Sequence, residues 1–453
     1  MAHKEQESAA TSDNNTLQRT LGLTAATSIG IGTMVGAGIF VFPGLAGGYA
    51  GPAAILSFAI GCVIALLVAL CTAELATVMP KSGGGYLFIS RAFGSFQGFT
   101  AGICQWLGLV FASAFYLAGF AHYTLELLRR FHISSTSVVI SVGAVLILLT
   151  INIIGTKKAG KLQNIAVILL SLLLSVIFVY GLLDIVGITG NQRLFSDFTP
   201  NGYQPVFTTT ALIFTAYLGF VQISTVAGEI KKPEQNLPRA LILSVVVVFA
   251  LYILVLFVST SLYSASELKA LGETATLDVA RKLLGNGGAL IVLIAGILAT
   301  LSSANASIMS SSRSLFALAK DGMAPQQIKR LNNKFNTPHV ALLLVVIPVI
   351  ALLFVGDLEF FAEVASFFHL VLYAGICLSL LRFRRRNEDW YTPPFRIYAG
   401  QIVAVAGAIG CAGITFFMQT YSILTGIIII VITSVCYAIF HRDTSASDPD
   451  SSS

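Results

Sequence analysis

The residues best suited to bind a small charged ligand lie in one glycine-rich stretch, residues 33–44, with the sequence TMVGAGIFVFPG. Gly36, Gly38 and Pro43 weaken a helix, and backbone groups that a break exposes find no water inside a lipid bilayer. Freed N–H groups at the start of a helix suit a carboxylate, whereas freed carbonyls suit an ammonium group or a cation. An α-amino acid carries both charges on one carbon, so the stretch predicts a site for such a ligand.

Close packing of helices through small residues is the alternative explanation for these glycines. Gly36 and Gly38 are two positions apart rather than four, so they do not lie on one helix face. Packing alone therefore explains the pattern less well than a broken helix does.

A second apolar segment is interrupted in the same way within residues 214–240. Ala216, Tyr217, Leu218 and Gly219 lie near its middle, and the polar residues around them are unusual for a lipid-facing helix: Thr208, Thr209, Thr210, Thr215, Gln222, Ser224 and Thr225. Interrupted apolar segments at corresponding places in two halves of a chain indicate the substrate site of a secondary transporter.

The composition indicates an integral membrane protein, because only 11% of the residues are charged and 56% are hydrophobic. About twelve apolar segments come close to the ~20 residues that span a bilayer. Their predicted limits are 21–48, 53–79, 96–126, 134–154, 162–186, 206–229, 239–264, 288–319, 339–356, 358–381, 400–419 and 421–441.

The loops predict the orientation of these segments. With the N-terminus in the cytoplasm, six of the 27 Lys and Arg residues fall on outer loops and the remaining 21 on the cytoplasmic side. Positive charge is enriched on cytoplasmic loops of membrane proteins, so both tails, 1–20 and 442–453, are predicted to be cytoplasmic. We expect the protein to be integral to a cell membrane, by default a prokaryotic inner membrane. Its predicted partner is the lipid bilayer, and we expect no nucleic acid partner.

The two broken segments lie five segments apart, which predicts an internal repeat. Segments one to five (21–186) and six to ten (206–381) would form two halves, inverted in the membrane because each has an odd number of crossings. Two further segments (400–441) would lie outside the repeat. The predicted fold is thus an all-α membrane protein with a five-plus-five inverted repeat, as in LeuT-type transporters, and with broken first and sixth helices.

The chain resembles the amino acid–polyamine–organocation (APC) permeases along nearly its whole length. The motifs that carry the resemblance occur in the family's order: MVGAGIF (34–40), AELATVMPKSGGGYLFISRAFG (73–94), EIKKPEQNLPRA (229–240), LSSANASIMSSSRSLFALAKDGMAP (301–325) and LRFRRRNEDWYTPPFR (381–396). They are specific for the family and much less so for the substrate.

The resemblance implies a substrate site at the two breaks. The substrate carboxylate would bind the backbone of Gly36, Ala37 and Gly38. The ammonium group would bind carbonyls of the first segment around Met34 and of the sixth around its break. On the sixth segment, the resemblance implies Thr215, Ala216, Tyr217, Gly219 and Phe220. The side chains that would shape the site are Thr33, Ser113, Thr215, Phe220 and Ser307. Tyr217 or Phe220 could act as a gate, with plain core packing as the alternative.

Three departures from the family pattern bear on energy coupling. Ala37 replaces a common serine, Leu170 falls where many relatives carry a lysine, and no carboxylate follows Gly219. Two options remain: Ser302 and Ser303 help carbonyls bind Na⁺, which prefers oxygen ligands, or the protein exchanges substrates and needs no ion.

Ionisable residues within membrane segments are candidates for function. Glu74 and Glu229 lie near predicted inner ends, close to Lys81 and Arg91 or to Lys231, Lys232 and Arg239, and are interpreted as inner-gate ion pairs or helix caps. Glu363 and His369 are candidates for H⁺ transfer; an outer-rim carboxylate and a satisfied buried histidine are the alternatives.

The sequence therefore predicts a secondary active transporter of amino acids that works by alternating access. The absence of a carboxylate at mid-membrane depth favours neutral substrates with small or apolar side chains. The rivals are an antiporter of polyamines or cationic amino acids and a transporter-like amino acid sensor. No catalytic, metal-ligand or phosphate-loop motif is present, so we expect neither an enzyme nor a cofactor.

Overall fold

The computed structural model describes residues 19, 21–79, 84–154, 159–188, 197–332, 334–335, 337–386 and 389–446, with the side chains of 159–171 and 440–446 left out. Throughout these residues the regular structure is helical, apart from one isolated parallel bridge between Leu21 and Ile230. The predicted all-helical class is therefore confirmed for this part of the chain.

The first apolar segment is broken where the glycines predict. Helix α1 spans Leu23–Met34 and helix α2 spans Gly38–Ala50. Between them, Val35 has φ −81° and ψ 65°, which lies outside the helical region. We call residues 35–37 the first break.

Five helices follow the first segment and run to the middle of the chain. They are α3 (Ala54–Val78), α4 (Gly85–Phe93), α5 (Ser95–Arg129), α6 (Ser137–Ile154) and α7 (Ala159–Ile185).

The sixth segment is divided into short pieces. Helix α8 (Gln204–Ile213) tightens into a 3₁₀ turn over Phe214–Tyr217, and a second helical piece, α9, covers only Gln222–Thr225. We call residues 214–221 the second break. Both predicted interruptions are therefore present.

The remaining helices complete the chain. They are α10 (Pro233–Leu262), α11 (Ala265–Leu271), α12 (Ala275–Lys320), α13 (His339–Leu353), α14 (Leu358–Arg386), α15 (Gly400–Thr415) and α16 (Thr420–Ala446). Helix α12 is kinked at Gly285, whose φ of 65° is unfavourable for other residues.

Among the residues described, eight helices are long and apolar enough to cross a membrane. Four shorter apolar helices accompany them: Leu23–Met34, Leu172–Ile185, His339–Leu353 and Gly400–Thr415. The 12 residues of α1 extend about 18 Å at 1.5 Å per residue, too short for a ~30 Å hydrocarbon core. The multi-pass class is supported, while the twelve crossings, the inverted repeat and the domain limits remain predictions.

Burial separates the helices at the centre from those at the periphery. In α5, 83% of the apolar window is buried, compared with 17% over Thr420–Ile439 of α16. Helix α16 exposes Ile428, Val431, Ile432 and Val435. An apolar surface of this kind suits lipid rather than water, so the two broken segments and α5 form the protein-lined interior.

Candidate functional site

The first break presents a cluster of hydrogen-bond donors with no acceptor. Within the described chain, the N–H groups of Gly36, Ala37, Gly38 and Ile39 have no recorded acceptor, whereas the N–H groups that follow them bond to the Ala37 carbonyl at 3.0 Å. These donors lie at the N-terminal, positive end of α2. Because the surrounding residues are buried, an anion is the chemical group that such a cluster accommodates.

Unused acceptors complement these donors. Of the hydrogen bonds that the structure records, none ends on the carbonyl oxygens of Met34, Ala216 and Tyr217. In contrast, the next carbonyl of the second break, that of Leu218, accepts a bond of 2.8 Å from the Tyr373 hydroxyl. The two breaks thus combine unused N–H and C=O groups, as the sequence predicts for a zwitterion.

A close polar contact joins the end of α1 to the second break. The Thr33 hydroxyl lies 3.1 Å from the Gly219 carbonyl oxygen and within 2.9 Å of two carbonyls of its own helix. A Cβ atom on Gly219 would lie 2.6 Å from the Thr33 Cβ. Thr33 and Gly219, both predicted site residues, therefore hold the end of α1 against the second break.

Two predicted pocket hydroxyls are already engaged elsewhere. The Thr215 hydroxyl donates to the Ala362 carbonyl at 2.5 Å and lies 2.7 Å from the Ser366 hydroxyl, both on α14. The Ser113 hydroxyl bonds to the Leu109 carbonyl of its own helix at 2.7 Å. Ser307 is also buried, on α12.

Replacing Thr215 by valine tests this assignment. The change keeps the shape but removes the hydroxyl, so we expect stability to fall by about 1 kcal/mol with the substrate preference unchanged. Thermal unfolding in detergent and a competition assay measure the two effects. A changed preference with unchanged stability would place the hydroxyl in the substrate site instead.

The two candidate gate residues are packed rather than free in this conformation. The Tyr217 hydroxyl donates to the Phe58 carbonyl at 2.9 Å, and the Phe220 ring lies 5.2 Å from the Tyr373 ring. Both side chains are fully buried. These contacts favour the packing alternative, and a gating role for either residue remains a prediction.

The glycines at the first break allow other helices to approach closely. A Cβ atom on Gly36 would collide with the Ser303 hydroxyl of α12, and one on Gly38 with the Tyr252 hydroxyl of α10. Ser303, a predicted ion ligand with Ser302, therefore does lie beside the first break. Tyr252, which no sequence motif marked, is buried and has no hydrogen-bond partner in the described structure.

The part of the chain that is described contains no candidate metal centre. Groups of three or more His, Cys, Asp or Glu side chains with metal-binding geometry are absent there. The Leu170 side chain, at the place of the family's lysine, lies outside the described side chains. The lack of a charge at that position is therefore known from the sequence alone.

A small cavity of about 10 Å³, roughly the space of one water molecule, lies against the second break. Helices α5 and α14 complete its wall. Its lining residues are Gln105, Leu109, Leu218, Val221, Gln222, Thr225, His369, Leu372 and Tyr373. Sequence reasoning missed most of them as site residues, because they are scattered over three segments. We call this space the segment-six cavity.

Glu74 has a charge partner that the sequence analysis did not indicate. The Glu74 carboxylate is fully buried and pairs with Arg384, whose Nε and Nη2 atoms lie 2.8 and 2.5 Å from its two oxygens. The Tyr391 hydroxyl and the Ile397 N–H donate further bonds of 2.9 and 2.8 Å. Lys81, one expected partner, lies outside the described residues, and Arg91 forms none of the recorded ion pairs. Glu74 therefore links α3 to α14 and the segment after it.

Glu229 and Glu363 also contact residues that are far from them in the chain. Where the structure is described, no ion pair includes Glu229; its carbonyl accepts the Leu21 N–H at 2.9 Å. Glu363 is buried and accepts a bond of 2.7 Å from the Ser422 hydroxyl. Tertiary contacts, not charges nearby in sequence, decide both environments.

Comparison with known proteins agrees with this architecture. The family model for amino acid permeases matches residues 21–440. The serine/threonine exchanger SteT of Bacillus subtilis (strain 168) is 29% identical over 420 residues, covering 90% of this chain and 94% of that protein. The branched-chain amino acid permease BcaP of the same organism is 28% identical over 349 residues, 74% of each chain. Cationic amino acid transporter 1 of Arabidopsis thaliana is 27% identical over 366 residues, 78% of this chain and 60% of that protein. The chain therefore belongs to the amino acid permease family of the APC superfamily, whose members are transporters rather than enzymes.

Proposed function

We propose that this protein is a secondary active transporter that moves neutral amino acids across a cell membrane by alternating access. The observation that carries the proposal is the pairing of unused backbone groups at the two breaks. The four N–H groups of residues 36–39 suit a carboxylate, and the unused carbonyls of Met34, Ala216 and Tyr217 suit an ammonium group. A free amino acid would engage both sets at once.

The charge of the site supports a neutral side chain. No Asp or Glu lies in either break or lines the segment-six cavity. The buried carboxylates of Glu74 and Glu363 are bound to Arg384 and to Ser422. A polyamine or a cationic amino acid would bring a second positive charge into a site without a matching anion, at a considerable desolvation cost.

Two coupling modes fit the site. Exchange of one amino acid for another requires no ion, and it agrees with Leu170 and with the lack of an acid after Gly219. Na⁺ symport would use oxygen ligands beside the first break, where Ser303 approaches Gly36. The named activity of SteT, serine/threonine exchange, favours the first mode.

Uptake into proteoliposomes tests the function and the coupling mode together. Labelled neutral amino acids are offered to vesicles with an imposed Na⁺ gradient, an H⁺ gradient, or unlabelled amino acid inside. We expect uptake that depends on internal amino acid. Uptake into empty vesicles driven by Na⁺ would instead assign symport and implicate Ser302 and Ser303. Binding without uptake under any condition would indicate a sensor.

A further inference from the structure

Tyr252 carries a buried hydroxyl that the protein itself does not use. The residue lies on α10 and is fully buried, and its hydroxyl oxygen has no hydrogen-bond partner among the described residues. A buried hydroxyl without a partner costs free energy, whereas phenylalanine would fill the same space without that cost. Such an atom in a native protein calls for an explanation, and a bound ligand provides one.

The ring of Tyr252 is held so that its hydroxyl points at the first break. The ring stacks on that of Phe58 of α3, with the centroids 4.7 Å apart and the planes at 24°. A Cβ atom added to Gly38 would collide with the Tyr252 hydroxyl oxygen, which lies nearer to it than any atom of the Tyr252 ring. The hydroxyl therefore approaches the first residue of α2 end-on.

The unused backbone donors of the first break lie at the same place. The N–H groups of residues 36–39 have no recorded acceptor in the described chain, and they lie at the positive end of α2. The phenolic O–H of Tyr252 adds a donor from a different helix. Because all of these groups can donate, the ligand that satisfies them together is an anion.

The elements around this place contribute no cationic side chain to it. Residues 21–50, which include α1, the first break and α2, contain no Lys, Arg or His. In α10 the only basic residue is Arg239, 13 positions before Tyr252 and therefore about 20 Å away along the helix. These elements can hold an anion by neutral donors alone, so the loss of one donor should weaken binding measurably.

We propose that the Tyr252 hydroxyl donates a hydrogen bond to the carboxylate of the transported amino acid, beside the N–H groups of residues 36–39. The proposal rests on the proposed function and deepens it, because it adds a side-chain ligand from α10 to a site otherwise built from the backbone of the two breaks. It also explains the need for glycine at position 38, since a side chain there would displace the hydroxyl.

Tyr252→Phe tests the proposal, because it deletes the hydroxyl and keeps the ring on Phe58. The probes are three pairs of compounds that differ in the carboxylate alone: alanine and ethylamine, serine and ethanolamine, and leucine and 3-methylbutylamine. Equilibrium binding in detergent measures their dissociation constants. Those of the amino acids should rise by about 10- to 100-fold in the variant, as expected for a lost hydrogen bond to a charged group. Those of the amines should stay at the wild-type values.

Tyr123→Phe is the matched control. Tyr123 is also fully buried, but its hydroxyl donates to the Phe40 carbonyl at 3.0 Å. Without ligand, Tyr123→Phe should therefore unfold at a lower temperature than the wild type, whereas Tyr252→Phe loses no bond and should not. The preference for an amino acid over its amine should fall only in Tyr252→Phe.

Tyr252→Met provides a second variant if Tyr252→Phe folds poorly, since methionine fills irregular space and offers no hydroxyl. If the Tyr252 variants bind the amino acids as tightly as the wild type does, or lose affinity equally for amino acids and amines, the inference fails while the proposed function stands. If the wild type binds none of the three amino acids, the proposed function itself fails.

Discussion

The Gly36→Ala variant is expected to lose most of its amino acid binding and uptake. The added Cβ would collide with the Ser303 hydroxyl and lie 2.7 Å from the Ser303 Cβ. Either the first break or α12 must then shift, at a cost of about 1–3 kcal/mol. If the shift displaces the N–H groups of residues 36–39, the dissociation constant rises by about 10- to 100-fold. Equilibrium binding of a labelled substrate in detergent measures this effect directly.

Two further variants separate this steric effect from a general loss of folding. Gly143→Ala adds the same methyl group to α6, where no atom lies within 4 Å of the new Cβ, and should bind like the wild type. Gly36→Ala combined with Ser303→Gly removes the obstructing side chain and should recover part of the affinity. Normal binding by Gly36→Ala alone would show that the substrate does not depend on the geometry of the first break.

The second large effect is expected at the buried ion pair of Glu74 and Arg384. Replacing Arg384 by alanine leaves the Glu74 carboxylate fully buried without its charge partner. Loss of one partner from a buried pair destabilises proteins by about 3–5 kcal/mol. We therefore expect a large fall in the thermal unfolding temperature, measured by size-exclusion chromatography of heated detergent samples.

The double variant Glu74→Gln with Arg384→Met provides the control for this pair. It removes both charges, so it should be more stable than Arg384→Ala alone. Tyr391→Phe, which deletes only one of the bonds to Glu74, should lower stability by about 1 kcal/mol. If Arg384→Ala unfolds like the wild type but loses uptake, Glu74 and Arg384 would instead form a gate, as the sequence first indicated for Glu74.

Features that depend on neighbours in the chain were predictable from the sequence. Gly36, Gly38 and the segment around Gly219 weaken a helix locally, and both breaks occur there in the structure. The membrane class follows from long apolar segments, because the bilayer thickness sets the length that each must reach. Unused backbone donors and acceptors were predictable for the same reason, since a broken helix leaves them unpaired whatever surrounds it.

Features that depend on distant residues were decided only by the tertiary structure. Glu74 and Arg384 are 310 positions apart, and the arginines in the last turn of α14 resemble an ordinary cytoplasmic cluster in the sequence. Gln105, His369 and Tyr252 are single polar side chains in apolar helices, which a sequence cannot distinguish from packing residues. Spacing along a helix fixes which face a residue occupies, but only the arrangement of helices decides what that face meets. The sequence alone thus determined where backbone groups become free, and the tertiary structure decided which side chains meet them and which polar atoms are left for a ligand.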